Sequence, residues 1–180
     1  MTTPLTTNVY AIDAAHSSAE FVVRHIMIAK VRGLFTGLAG TIHVPEGQHV
    51  PTEVDVEIDT ATVATSEAQR DGHLKSPDFF HAESFPKILF KSTSITGTSD
   101  GFDLTGDLTI RDQTQSVTLK ATYEGETKDP WGTTRLGFEA HGKVNRKDFG
   151  LTWNAALETG GVAVGDEVKI EISVEGVLQK

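Results

Sequence analysis

Val54-Asp55-Val56-Glu57-Ile58, then Arg70-Asp71-Gly72-His73-Leu74-Lys75-Ser76-Pro77-Asp78-Phe79-Phe80, then Lys87-Ile88-Leu89-Phe90-Lys91 are the segments that decide the fold. The outer two alternate with a period of two, as half-buried strands do, and the middle one does not. From Thr60 to Pro86 the chain carries helix signals instead. Ser66 with Gln69 three places on is a capping-box pair, which predicts a helix from about Glu67. Ser76-Pro77-Asp78 predicts a second start, with Ser as N-cap, Pro at the first helical position and an acid in the first turn. Gly72 weakens the first helix. Hairpin loops usually run to about 2–5 residues, so a connection this long between strands reads as a functional loop. We read it as a lid across one end of a barrel.

Outward from the lid, strands dominate. Upstream, Ala19 to His25 places Phe21, Val23 and His25 on one face, after the turn Asp13-Ala14-Ala15-His16-Ser17. Ile26 to Val31 alternates poorly and reads as a turn or irregular link. A second strand, about Gly33 to Val44, contains Phe35 and is broken by Gly37 and Gly40, which mark bends or bulges. Glu53 to Ile58 is the third, with Val54, Val56 and Ile58 inward. Downstream, Lys87 to Thr96 is the fourth, and Asp100-Gly101 signals a hairpin into the fifth, where Phe102, Leu104, Leu108 and Ile110 share a face. The sixth carries Val117, Leu119, Ala121 and Tyr123; the seventh, after the turn Asp129-Pro130-Trp131-Gly132, carries Leu136, Phe138 and Ala140. Past an Asn145-to-Gly165 connection with some helical character near Arg146 to Asn154, the eighth carries Val168, Ile170, Ile172 and Val174. Eight amphipathic antiparallel strands bury their apolar faces in a two-sheet sandwich or a closed barrel, and a lid suits the barrel.

Composition bounds the rest. A chain of 180 residues with 38% hydrophobic content makes one domain with a sizeable core, taken here as residues 9–180 behind a flexible lead-in of residues 1–8. A net charge of -9 argues against non-specific attraction to nucleic acid or to anionic membrane surfaces. The absence of cysteine excludes disulfides, a thiolate nucleophile and cysteine-ligated zinc. Met1 to Thr7 has neither a basic nor an apolar signal-peptide region, and no apolar run approaches a membrane span, so the expected location is the cytoplasm.

Motif matches of catalytic type are weak. Gly97-Thr98-Ser99-Asp100-Gly101 fits the nucleophile-elbow pattern, but a strand follows where a helix is required, and a hairpin turn is the better reading. Gly160-Gly161-Val162-Ala163-Val164-Gly165 lacks both dinucleotide and P-loop spacing and reads as a loop. The seven histidines stand in no metal-binding spacing, so no metal is expected. Arg70, Asp71 and His73 could act as acid-base groups at a pocket mouth, although such clusters more often pin a loop to a rim.

Several runs together resemble a known family, the YceI-like polyisoprenoid-binding proteins. They include Val22-Val23-Arg24-His25, the Arg70-to-Phe80 run, Gly106-Asp107-Leu108-Thr109-Ile110 and Asn145-Arg146-Lys147-Asp148-Phe149-Gly150-Leu151. The resemblance covers nearly all of residues 10–177 in order. It implies an all-β, eight-stranded antiparallel lipocalin-like barrel with a short helical lid, often a homodimer. The pore would hold a long amphiphile such as a polyprenyl pyrophosphate, a quinone tail or a fatty-acid derivative.

On that resemblance the expected function is non-enzymatic carriage or storage of a polyisoprenoid or similar lipid. The alternatives are an enzyme acting on such a lipid and a lipid-free stress or interaction module. The expected pore lining is Phe21 and Val23, Phe35, Val56 and Ile58, the lid's Phe79 and Phe80, and Ile88 and Phe90. It continues with Leu104, Leu108 and Ile110, then Leu119, Phe138, Ile170 and Ile172. The expected mouth and head-group residues are His25, Arg70, Asp71, His73 and Arg146, with Arg24, Arg32 and Lys75 as further cations. No cofactor other than the bound lipid is expected, and no nucleic-acid partner.

Overall fold

The computed structural model describes residues 3–180; Met1 and Thr2, part of the expected lead-in, lie outside the described residues. Ten strands are present: β1 (Thr7–Ile12), β2 (Ser18–His25), β3 (Ala29–Phe35), β4 (Leu38–Pro45), β5 (Glu53–Asp59), β6 (Lys87–Thr98), β7 (Gly101–Ile110), β8 (Gln113–Lys128), β9 (Thr134–Asn145) and β10 (Val164–Leu178). All pairings are antiparallel, and β10 closes the sheet by pairing with β9 on one edge and with β2 and then β1 on the other. The ten segments make eight staves. β1 and β2 form one stave broken at Asp13–Ser17, and β3 and β4 form another broken at Thr36–Gly37. Closure leaves few free edges: among the described residues β3 pairs only with β2, and its other edge meets the lid at the Leu34–Ala64 bridge.

Each break has a local cause. Asp13 caps the 3-10 turn Ala14–His16 by accepting from the Ala15 amide, and the turn offsets β2 from β1. At the second break the Thr36 and Gly37 amides donate to Thr62 Oγ1 at 3.3 and 3.2 Å instead of to a neighbouring strand. Within β4, Gly40 has φ +143°, and a Cβ there would lie 2.0 Å from the Asp55 carbonyl oxygen. That approach admits only glycine.

Several local expectations are corrected. A strand, β1, begins at Thr7, inside the segment expected to be a frayed lead-in; Thr7-Asn8-Val9-Tyr10-Ala11-Ile12 becomes a strand through its partners β4 and β10. The lid holds one α-helix, α1 (Ala68–Lys75), after a 3-10 turn at Thr60–Thr62, and the N-cap of α1 is Glu67 rather than Ser66. The Glu67 carboxylate accepts from the Gln69 and Arg70 amides at 3.1 and 2.7 Å, while Ser66 takes a left-handed φ of 65°. Ser76 does not open a second helix. Its amide and hydroxyl both donate to the His73 carbonyl, which ends α1, and residues 77–80 form a turn. Between Arg146 and Asn154 the helical part is one 3-10 turn, Arg146–Phe149.

The barrel has two unlike ends. At the narrow end the β4–β5 loop folds over the core, with Pro51 buried and His49 stacked on Tyr123 at 4.5 Å. Beside it the Tyr10 hydroxyl donates to Glu126 at 2.7 Å, and burial together with that carboxylate pushes its pKa up. At the other end sit the β2–β3 tip, the β7–β8 turn, the 146–163 segment and the lid. The lid is tied at its base: buried Thr60 donates its amide to the Pro86 carbonyl at 2.9 Å and its hydroxyl to that of Phe85 at 3.0 Å.

Candidate ligand cavity

Alternation along the staves sends one row of side chains inward. In β7, Phe102, Leu104, Leu108 and Ile110 are buried while Asp107 is exposed. Inward glycines make room for large neighbours. The Phe21 ring lies over Gly33, the Phe90 ring over Gly106 and the Leu119 side chain over Gly142, each where a Cβ would stand. The result is not a filled core. A cavity of about 400 Å³ runs into the barrel from the lid end, inside the roughly 300–1,000 Å³ range of small-molecule sites.

Its wall is almost wholly apolar. Phe21, Val23, Phe35, Val56, Ile58, Phe79, Phe80, Ile88, Phe90, Leu104, Leu108, Ile110, Leu119, Phe138, Ile170 and Ile172 all face it. So do residues that alternation did not single out. Leu74 comes from the lid helix, and Phe149, Leu151 and Trp153 come from the 146–163 segment. A signal was there to be read: Phe149, Leu151 and Trp153 are spaced by two, the period of an extended segment with one face inward.

Beneath the lid the aromatics form two groups. Phe21, Phe35 and Phe80 meet with ring centroids 5.4–6.4 Å apart. Trp153 meets His73 at 4.6 Å and Phe79 at 5.6 Å. Arg111, in the β7–β8 turn, straps the lid by donating to the Pro77 and Phe79 carbonyls at 3.5 and 3.4 Å and lying 5.8 Å over the Phe85 ring. Its Nε is buried without a hydrogen-bond partner among the described residues.

The charged residues at the mouth divide by what they already hold. Arg70 donates through Nε to Thr65 Oγ1 at 2.7 Å and through Nη2 to the Thr65 carbonyl at 2.8 Å. Asp71 does not line the cavity; it accepts from the Thr65 amide and hydroxyl at 2.7 and 2.5 Å. The two pin the strand-to-lid corner. His73 Nε2 lies 2.9 Å from Asp78 Oδ2. Arg146 is 4% exposed, with Nε donating to Gly165, Nη1 to Leu151 and Trp153, and Nη2 to Val164, all at carbonyl oxygens 2.7–3.3 Å away. Burial pulls its pKa down, countered by Asp166. Its donors hold the 151–153 segment to β10. Among the basic residues of the lining, Arg24 and His25 have no side-chain hydrogen bond or ion pair among the described residues.

Among the described residues, one cluster, at the narrow end, has metal-ligand chemistry: Asp13, His16 and Glu175. Its positive partner is Arg135, whose Nη1 donates to Asp13 at 2.8 Å and Glu175 at 3.0 Å while Nε reaches Asp129 at 2.8 Å.

Comparison with known proteins agrees with this geometry. Protein YceI of Escherichia coli is 40% identical over 173 residues, covering 95% of this chain and 87% of that one. The YCEI protein of Campylobacter jejuni superposes with a TM-score of 0.74 at 28% identity, over 87% of this chain and 90% of that one. A polyisoprenoid binding domain from Saccharophagus degradans, implicated in plant cell wall breakdown, shares the fold with a TM-score of 0.70 at 16% identity, over 94% and 98% of the two chains. The family model of the YceI-like domain matches residues 10–176, from the first stave to the last, and the chain belongs to that family.

Proposed function

We propose that the chain binds a polyisoprenoid or similar long-chain amphiphile, tail in the barrel and head at the mouth, and carries or stores it unchanged, as a homodimer. The observation that carries this reading is the continuous apolar cavity from the mouth into the barrel. Keeping such a space unfilled is costly. At ~24 cal/mol per Å³, 400 Å³ corresponds to on the order of 10 kcal/mol, comparable to the ~5–15 kcal/mol net stability of a whole domain. An alkyl or isoprenoid tail offsets that cost, since each buried CH₂ contributes about 0.8 kcal/mol and a five-carbon unit about 3 kcal/mol gross. The isoprenoid class is further supported by the description of the Saccharophagus degradans domain. Arg24 and His25 are the basic lining residues free to meet a pyrophosphate or quinone head. Carriage is favoured over turnover because Arg70 and Asp71 are both engaged with Thr65 and present no free acid-base pair.

Mass spectrometry of an organic extract of the purified protein tests this. An intact isoprenoid at close to one per barrel is expected. Turned-over product, or no lipid even after incubation with a polyprenyl pyrophosphate and with a quinone, would contradict it. Light scattering should give twice the mass of one chain.

A further inference from the structure

The mouth of the barrel carries a surface that the cavity does not explain. The β2–β3 hairpin turns through Ile26 and Met27, both in the left-handed region at φ 45° and 65°. The connection has three residues, 26–28; its two left-handed positions favour Asn, Asp or Gly, and a β-branched residue at positive φ is strained. The turn is nevertheless apolar, and it projects. Ile28 is 80% exposed and Met27 50%, while the Ile26 amide is fixed to the Ala163 carbonyl at 2.8 Å. Strain kept in order to hold exposed apolar side chains at a tip points to a function for the tip.

The charges behind the tip are one-sided. Arg24, at the rim where the mouth meets the outer face, pairs with Lys30, and one step further from the tip, on the outer face, Val22 is flanked by Arg32 and Lys169. None of these four cations has an ion-pair or hydrogen-bonded side-chain partner among the described residues, in a chain of net charge -9. Along the register partners of β2 itself, the first carboxylates come at the next step, where Glu20 pairs with Glu171. Nearer acids on β10 are already held, Asp166 by Lys147 and Glu167 by Lys143. Against the four cations, the adjoining 154–163 loop contributes one acid, Glu158.

We propose that this hairpin tip, apolar at Met27 and Ile28 and basic at Arg24, Lys30, Arg32 and Lys169, docks the mouth of the barrel onto an anionic phospholipid bilayer. Aliphatic side chains at the apex enter the boundary of the acyl region, and the ring of cations meets lipid phosphates at headgroup depth. Exposed acids elsewhere at the same end, Glu67, Asp78, Glu83 and Asp112, are repelled by that surface, so contact is confined to the hairpin side of the mouth. Nucleic acid is a poorer fit, because the apolar residues at the tip are aliphatic and offer no stacking face. Docking does not depend on what fills the cavity, so it goes beyond the carrier reading; a variant with a blocked cavity should still dock.

The test is co-sedimentation of the full chain with vesicles of phosphatidylcholine and phosphatidylglycerol in equal parts, and with vesicles of phosphatidylcholine alone. Binding to the mixed vesicles, weakened at least tenfold by molar salt and absent from the neutral ones, is expected. Met27→Asp/Ile28→Asp and Lys30→Glu/Arg32→Glu should each lower it at least tenfold. Both change exposed side chains and should melt with the parent, and Ile28→Gln provides a milder variant at the apex. Equal binding to both vesicle types, no binding, or unchanged binding in folded variants would overturn the proposal. So would loss of a self-associated dimer, or of DNA binding, in the same variants without any vesicle binding.

Discussion

Arg146 shows how a charge is kept in a nearly closed site: every nitrogen of its guanidinium donates to a main-chain carbonyl. Arg146→Ala would remove the side-chain donor from the Gly165, Leu151 and Trp153 carbonyls, leave that of Val164 to Asn154 alone, and free the 151–153 wall of the cavity. We expect a loss of about 3 kcal/mol or more in urea unfolding, with Arg146→Lys recovering only part because an ammonium cannot reproduce the planar fork. At the other end of the barrel, His16 and then Arg135 hold the Asp13 carboxyl down at about 2. A depressed carboxyl stabilises the fold above its unfolded value of ~3.9, and that stabilisation is lost as pH falls towards 2. His16 acts in the opposite sense: its pKa is raised by Asp13, so its contribution is present below its unfolded value and fades as pH rises through the folded one. Asp13→Asn should flatten the stability curve between about pH 4 and pH 2, measured by denaturant midpoints across that range. Neither role was legible in the sequence, because the carbonyls that Arg146 binds and the Arg135 that Asp13 meets become neighbours only in the folded barrel.

Among the elements, legibility followed how much each depends on distant partners. β7 alternates without a break, and a one-residue slip would bury Asp107, so its inward face could be read directly. β1 is short and weakly patterned, and it exists because β4 and β10 supply hydrogen bonds to its two edges. The lid was evident as an interruption, but its cap moved from Ser66 to Glu67 because two amides are met by one carboxylate. Two glycines separate tolerance from failure. At Gly33 a Cβ would meet the Phe21 ring, 2.0 Å from Cζ, and the ring has cavity to move into; Gly33→Ala should cost roughly 1–3 kcal/mol and reduce ligand capacity. At Gly40 the obstacle is the Asp55 backbone and φ is +143°, so Gly40→Ala should cost more than about 3 kcal/mol, read by the same urea titration.

At the scale of the whole molecule, eight staves close around an interior that side chains do not fill, and the longest connection, the lid, lies over the open end beside the 146–163 segment. The class of fold was legible because eight amphipathic strands and one lid have few ways to bury their apolar faces. The volume of the interior was not, since it depends on how Phe21, Phe90 and Leu119 lean over glycines on neighbouring strands. Leu108 lines the cavity from the most regular strand, which makes it the place to test whether that volume serves a ligand. The measurement is bound lipid per barrel in Leu108→Trp and in the parent, each loaded with the same isoprenoid, together with the melting temperature of the two delipidated proteins. Lipid content should fall severalfold while the melting temperatures stay within the ~2–4 °C that 1 kcal/mol represents for a domain of this size. A variant that keeps its full lipid load yet melts well below the parent would contradict the account, showing a packed core at Leu108 and a ligand site elsewhere.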